Sequence, residues 1–276
     1  MRFEFADKAP LVVVETRLNN KGPFKFVVDT GSSVTVVGRE ATEVLGISQT
    51  SNSTTSGCYS SKMLAVASIQ VGGIGKRQVP IALGDLSKLS EETGTLLDGI
   101  IGSPFMKDYE VVIDYPQMEI LFEESRQERR LPTKFRLVSK ANFIVVETEL
   151  NGKGPFNFLV DTGATKTVMT EQIGQTFGLH GNICGEKKAL SGFFAGTTMV
   201  LSKVKSIQVG KAKSSDVEVG VQDLQLLCDA VGAPLDGVLG YTFMKDYRVT
   251  INYPKREMSF EKEDASKVDD NVKEVK

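Results

Sequence analysis

Val27-Val28-Asp29-Thr30-Gly31-Ser32 is answered much later in the chain by Leu159-Val160-Asp161-Thr162-Gly163-Ala164. Each Asp-Thr-Gly triplet ends an apolar run that reads as a strand. Each run is introduced by the same turn, Lys21-Gly22-Pro23-Phe24 and Lys153-Gly154-Pro155-Phe156. At average residue frequencies one such triplet arises by chance on the order of 0.05 times in a chain of this length. Two in matching contexts are therefore not coincidence, and they supply two carboxylates able to meet in one site.

The surrounding sequence extends the match. The separation of Asp29 and Asp161, 132 positions, also relates Phe3 to Phe135, Val13-Val14-Glu15-Thr16 to Val145-Val146-Glu147-Thr148, and Gly46 to Gly178. Beyond Gly178 the separation becomes 138. It carries Ser68-Ile69-Gln70-Val71-Gly72 onto Ser206-Ile207-Gln208-Val209-Gly210, and Leu97-Asp98-Gly99-Ile100-Ile101-Gly102 onto Leu235-Asp236-Gly237-Val238-Leu239-Gly240. Phe105-Met106-Lys107-Asp108-Tyr109 returns as Phe243-Met244-Lys245-Asp246-Tyr247. The second copy thus holds 6 extra residues between Gly178 and Ser206. Two copies are too few for a solenoid and suit a closed pseudo-two-fold pair.

The expected organisation is one unit over 1–122, a charged linker over 123–132, a second unit over 133–261 and a charged, disordered tail over 262–276. The charged runs of linker and tail are expected to be solvated. Within each unit the signals are mostly β. Short helices are expected at 39–45 and 171–177, stopped by Gly46 and Gly178, and at 103–107 and 241–245. The stretches 109–115 and 247–253 read as strands, stopped by Pro116 and Pro254.

Composition narrows the chemistry. A hydrophobic fraction of 41% and a charged fraction of 25% are those of a globular protein, and a net charge of -2 gives no footprint for nucleic acid. No run approaches the roughly 20 apolar residues that span a bilayer. With His180 the single histidine and Cys58, Cys184 and Cys228 scattered, the chain has poor material for a Ser-His or Cys-His pair or a zinc site. No metal or cofactor is expected. Met1-Arg2-Phe3-Glu4-Phe5 lacks a signal peptide's apolar core, so the default expectation is the cytoplasm, or an exported location if a leader has been removed.

Two aspartates at the ends of buried strands, brought within hydrogen-bond distance, share a proton and titrate as a unit. One member can take a proton from water while the other donates to a carbonyl oxygen. Gly31 and Gly163 permit close approach. Ser32 can donate to Asp29, whereas Ala164 cannot serve Asp161, which would leave Asp161 to carry the proton. Asp98 and Asp236, which also recur, read as turn residues before a buried strand.

An Asp-Thr-Gly loop after an apolar strand, followed about 70 residues later by apolar-Asp-Gly-Ile-Ile-Gly and a short helix, resembles one lobe of an aspartic protease. The short unit is similar to a retropepsin-type subunit, and to bacterial retropepsin-like proteins in which Gly-Pro-Phe precedes the Asp strand. The resemblance spans nearly all of 1–122 and 133–261. It implies an all-β acid-protease fold of two closed β-barrel lobes with short helices about a pseudo-two-fold axis. It implies Asp29 and Asp161 as the catalytic dyad, with Thr30, Gly31, Ser32, Thr162, Gly163 and Ala164 supporting it, and Thr30 and Thr162 as an inter-lobe hydroxyl lock. Gly57, Cys58 and Tyr59, and Gly192, Phe193 and Phe194, would belong to flaps over an extended polypeptide substrate, the second flap being the longer. The retroviral acidic residues after the triplet are absent, Ser33-Val34 and Thr165-Lys166 standing there. Ser103 and Tyr241 replace the arginine that opens the late helix, so the retroviral inter-subunit salt bridges are not expected. The functional expectation is an aspartic endopeptidase acting as a monomer with an internal pseudo-dimer. A catalytically silent peptide-binding module and a structural role for the duplicated barrel are the alternatives.

Overall fold

A computed structural model of the chain describes residues 1–47, 55–56, 59–125, 129–139, 142–179, 188–189 and 198–262. The first half runs β1 (Glu4–Ala6), β2 (Ala9–Leu18), β3 (Lys21–Val28), β4 (Thr35–Gly38), α1 (Arg39–Leu45), β5 (Thr55–Ser56), β6 (Tyr59–Val71), β7 (Ile74–Gly84), α2 (Ser87–Thr93), β8 (Gly99–Ile101), α3 (Ser103–Met106), β9 (Glu110–Asp114) and β10 (Glu119–Glu123). The second half runs β11 (Thr133–Lys134), β12 (Arg136–Val138), β13 (Phe143–Leu150), β14 (Lys153–Val160), β15 (Thr167–Thr170), α4 (Glu171–Thr176), β16 (Lys188–Ala189), β17 (Thr198–Val209), β18 (Ala212–Gln222), α5 (Gln225–Val231), β19 (Gly237–Leu239), α6 (Tyr241–Met244), β20 (Arg248–Asn252) and β21 (Glu257–Glu261).

Each half closes a barrel. In the first, strands pair in the order β2-β3-β8-β4-β7-β6, and β6 returns to β2. In the second, β13-β14-β19-β15-β18-β17 closes in the same way through β13 and β17. The register repeats with the sequence: Val13 faces Val27 and Val145 faces Leu159, and both hairpins carry an irregularity, between Thr16 and Leu18 and between Thr148 and Leu150. Alternation of buried and exposed residues in β2 and β13 fills each barrel with Val12, Val14, Leu18 and their equivalents Ile144, Val146 and Leu150. Removing these side chains from water is the main stabilising term, about 25 cal/mol per Å² of apolar surface.

The helices begin and end where local chemistry dictates. The Thr170 side chain accepts from the Ile173 amide to cap α4, and Gly46 adopts a left-handed conformation (φ 70°) to stop α1. Helices α2 and α5 were not expected. Their signals are present in the sequence: Asp85 accepts from the Ser87 amide (3.0 Å) and Asp223 from the Gln225 amide (2.8 Å), and Gly94 and Gly232 end them with positive φ.

A third sheet joins the halves in the order β10-β9-β20-β21-β11. Its centre is antiparallel β9 against β20, with Asp114 opposite Arg248 and Glu110 opposite Asn252. Val111, Ile113, Val249 and Ile251 of this sheet belong to one apolar core with Phe26 and Val28 of the first barrel and Phe158 and Val160 of the second.

The expected linker is exposed at Glu124, Arg129, Arg130 and Pro132, yet it is tied to the shared sheet. Arg129 pairs with Glu110 (3.0 Å), Arg130 with Glu257 (3.2 Å), and the amide of buried Leu131 donates to Glu257 (3.2 Å). Glu110 and Glu257 are buried sheet residues that need donors, and this stretch supplies them. The expected tail lies outside the described residues from 263 onward, as does His180. No helix among the described residues is long and apolar enough to cross a membrane.

Candidate active site

Strands β3 and β14 deliver Asp29 and Asp161 to the boundary between the barrels. Each strand is held by a short parallel partner, β8 and β19, with Val28 beside Ile101 and Val160 beside Leu239. The aspartate amides continue these ladders to the carbonyls of Ile101 and Leu239, both at 3.0 Å. Each carboxylate then accepts from the amide two residues on, Gly31 to Asp29 Oδ1 and Gly163 to Asp161 Oδ1, both at 2.8 Å. These turns hold the side chains in one orientation before any ligand arrives.

The turns cross the boundary. The Thr30 amide donates to the Thr162 hydroxyl (3.0 Å), and the Thr162 amide donates to the Thr30 hydroxyl (3.1 Å). The Thr30 hydroxyl donates to the Val160 carbonyl (2.8 Å), and the Thr162 hydroxyl donates to the Val28 carbonyl (2.7 Å). Both threonines are buried, and the amide and hydroxyl of each are satisfied by a partner from the other half. A methyl group on Gly31 would stand 2.5 Å from Cγ of Asp161, and one on Gly163 would stand 2.6 Å from Cγ of Asp29. Glycine is required at both positions because each loop passes directly against the opposite carboxyl group.

Each carboxyl group stands against the opposite loop, so the two meet at the boundary and the charge of one bears on the other. Each residue keeps partial exposure, yet protein surrounds both carboxyls closely. Burial pushes Asp29 well above the ordinary carboxylate range, the neighbouring charge of Asp161 adds to it, and the amides of Gly31 and Ser32 oppose it. Burial raises Asp161 too, against its hydrogen bond to Asp29 and the amides of Gly163, Ala164 and Gly31. Two such groups retain one proton between them over a pH range in which isolated carboxylates have none.

The expected role of Ser32 is corrected. Its hydroxyl donates to the Val34 carbonyl (2.8 Å) and not to Asp29. The turn leaves that carbonyl two residues on within reach, a local bond that Ser makes readily. The Ser32 and Ala164 amides meanwhile contact the aspartates alike, so the serine–alanine difference does not assign the proton to Asp161. The backbone of Ser32 does support the loop, its carbonyl accepting from Ser103 (3.0 Å) as that of Ala164 accepts from Tyr241 (2.8 Å).

Asp98 and Asp236 stand apart from the dyad as turn residues. Asp98 Oδ2 accepts from the Lys25 amide and Asp236 Oδ2 from the Asn157 amide, both at 2.8 Å. Of the expected flap residues, Gly57, Cys58, Gly192, Phe193 and Phe194 lie outside the described residues, as does the segment holding the 6 additional residues of the second copy, apart from the short strand β16 and the start of β17. Tyr59 opens β6, paired with Ser56 of β5 and with Gly84 of β7.

Where retroviral-type arginines are missing, aromatic packing takes their place. Tyr241, opening α6, meets Phe5 edge-on at 5.5 Å and Tyr115 at 5.8 Å, both from the other half. Tyr115 and Tyr253, which the sequence marked only as strand ends, are buried, and burial first, then the nearby Asp161 and Asp29 respectively, pushes their phenols up. Their recurrence at the same spacing of 138 was the available signal.

The family model described as aspartyl protease matches residues 14–105 and 146–243. Among solved structures, a retropepsin-like aspartic protease from Rickettsia conorii is similar at 15% identity, over 45% of this chain and 86% of that one, with a TM-score of 0.29. No curated protein sequence matches.

Proposed function

This chain belongs to the aspartyl protease family, and from that premise we propose that it is an endopeptidase whose dyad is Asp29 with Asp161. The observation that carries the reading is the pair of carboxyls, one from each half, each set directly against the opposite Asp-Thr-Gly loop at a boundary locked by Thr30 and Thr162, and raised by burial. In the state with one shared proton, the ionised carboxylate takes a proton from a water molecule as its oxygen attacks the scissile carbonyl carbon. The protonated carboxyl donates to the carbonyl oxygen, giving a neutral tetrahedral diol. The newly protonated carboxyl then donates to the amide nitrogen while the other carboxylate takes a proton from a diol hydroxyl, so that the C–N bond breaks to give acid and amine and the singly protonated pair is regenerated. No covalent enzyme intermediate is needed.

The substrate is a polypeptide bound in extended form, the β5–β6 hairpin and its second-half counterpart lying over it and adding main-chain hydrogen bonds. One chain supplies both aspartates, so a monomer is sufficient for activity.

The test is cleavage of a diverse peptide library from acid to neutral pH by the wild-type chain, Asp29→Asn and Asp161→Asn. Cleavage lost in both variants is the expected result. Saturable peptide binding without any cleavage that the two substitutions abolish would replace this reading with that of a silent binding module.

A further inference from the structure

We infer that Tyr241 is a positioning residue of Asp161: its ring seats the second aspartate loop on the first half of the chain, where the first loop has a serine at the matching position. The inference rests on the proposed dyad.

Both aspartate loops are held by the same backbone bracket. The Leu239 carbonyl accepts from the Asp161 amide (3.0 Å) and the Tyr241 amide donates to the Ala164 carbonyl (2.8 Å), so these two residues grip both ends of the turn. Gly240 between them fits closely, since a methyl group there would stand 2.2 Å from the Lys166 carbonyl oxygen and 2.7 Å from that of Ala164. Within the turn, the Ala164 amide donates to the Asp161 carbonyl (3.3 Å) and the Gly163 amide donates to Asp161 Oδ1 (2.8 Å). In the first half, Ile101 and Ser103 grip Asp29 and Ser32 in the same way, both at 3.0 Å.

What differs is the side chain that leaves the bracket. The Tyr241 ring meets Phe5 at 5.5 Å and Tyr115 at 5.8 Å, and Phe3 meets that pair at 5.3 and 6.3 Å. All three partners belong to the first half, and Phe3 and Tyr115 are buried. Tyr241 is thus the fourth ring of a first-half cluster, held by edge-on contacts. The repeat shows that the second half has no such cluster. Phe135 and Tyr253 recur there at 6.3 Å, but Leu137 stands for Phe5, and Ser103 stands for Tyr241. Thr30 and Thr162 lock the middle of the crossing alike for both loops. Tyr241 adds an anchor at the far end of the second loop alone.

Burial keeps the Tyr241 phenol protonated, so substitution there removes no charge. It also leaves in place the two carboxyls and the amides of Gly31, Ser32, Gly163 and Ala164 that set the pair's titration. A shift in that titration therefore reports movement of the loop. Movement parts the carboxyls and admits water, and both effects bring the raised pair down towards the ordinary carboxylate range.

The experiment is an NMR titration of the full chain with ¹³C-labelled aspartate carboxyls, on wild type, Tyr241→Ser, Tyr241→Phe and Phe5→Leu. Tyr241→Ser lowers the pair's upper step by roughly 0.5–1 pH unit. Phe5→Leu, which removes one of the two rings that Tyr241 meets, lowers it by less. Tyr241→Phe titrates as wild type does. In peptide cleavage, kcat and kcat/KM of Tyr241→Ser fall together, on the order of 10- to 100-fold, and KM holds. A residue serving stability alone would lower the melting temperature and leave the titration of the folded protein unmoved. Folded Tyr241→Ser with a wild-type titration would overturn the inference, as would Tyr241→Phe shifted as far as Tyr241→Ser. If Tyr241→Ser does not fold, Phe5→Leu decides: an unmoved titration, or failure to fold there too, would show that the rings hold the fold and not the site. The titration needs no turnover, so a chain that cleaves nothing counts against the proposed function while the anchor is still read.

Discussion

Thr30 and Thr162 exchange hydrogen bonds across the boundary between the halves, each amide donating to the other's hydroxyl at 3.0 and 3.1 Å. Each hydroxyl goes on to the carbonyl that precedes the opposite aspartate. The lock therefore acts on the backbone on which the carboxyls stand. Thr30→Val keeps the shape and strands the Val160 carbonyl and the Thr162 amide in the interior. We expect a loss of roughly 1–3 kcal/mol in urea unfolding, together with reduced peptidase activity. Thr30→Ser should retain most of both. Equal stability of the valine and serine variants would contradict the role given to the hydroxyl.

The raised dyad makes stability depend on pH. Both carboxyls bind protons more readily in the folded state than in the unfolded chain. The folded state therefore gains stability as pH falls from neutral through the dyad's raised range, and loses it as pH rises through that range. Asp29→Asn removes the proton competition, so it should flatten this dependence and raise the melting temperature at neutral pH while abolishing cleavage. A wild-type melting temperature that does not rise as pH is lowered from neutral through that range would speak against a raised pair.

Glycine at the crossing is testable by a single methyl group. Gly31→Ala sets a carbon 2.5 Å from Cγ of Asp161, so the carboxyl or the loop must shift. Displacement of a catalytic group by about 1 Å can cost on the order of 100-fold in rate, and that is the loss expected in kcat/KM. Gly46→Ala places its methyl in open space. Its effect should be confined to the cost of left-handed backbone, about 1 kcal/mol or somewhat more, with kcat/KM unchanged.

The shared sheet carries a polar clasp centred on Asn252, which is fully buried. Its amide nitrogen donates to Glu110 (2.6 Å) and to Ser125 (2.9 Å), and its oxygen accepts from the Lys255 amide (3.0 Å). Asn252→Ala leaves buried Glu110 with only its pairing to Arg129 and is expected to cost roughly 2–4 kcal/mol. Urea unfolding of the full chain measures this, and a change within 0.5 kcal/mol, the ordinary range for surface positions, would show the clasp to be dispensable.

Much of the architecture was written in the spacing of repeated residues. Helices α1 and α4 fall where their sequence suggested, because capping and left-handed glycine are local events. Helices α2 and α5 were legible too, through Asp85 and Gly94 and their repeats, but helices of 7 residues are too short to show a hydrophobic period. Strands β9 and β20 were recognised as strands, yet nothing in either states that Asp114 faces Arg248. Pairing between segments 134 positions apart is a three-dimensional outcome.

The candidate site divides in the same way. Repetition alone singled out Asp29, Thr30 and Gly31 with Asp161, Thr162 and Gly163, because each half of the site is encoded in one contiguous loop. Side-chain direction was beyond it. Ser32 turns to Val34, whose carbonyl the local turn sets within hydrogen-bond reach. The linker arginines found buried acids because the shared sheet brings Glu110 and Glu257 beneath them. Tyr115 meets Tyr241 of the other half only because two strands from different halves pair antiparallel. The sequence by itself determined a duplicated β unit with one acidic loop per copy, since periodicity, turns and repeats are properties of neighbours along the chain. Tertiary structure alone decided how the loops interlock and that each aspartate carboxyl stands against the opposite loop, because those depend on contacts between residues that no local rule connects.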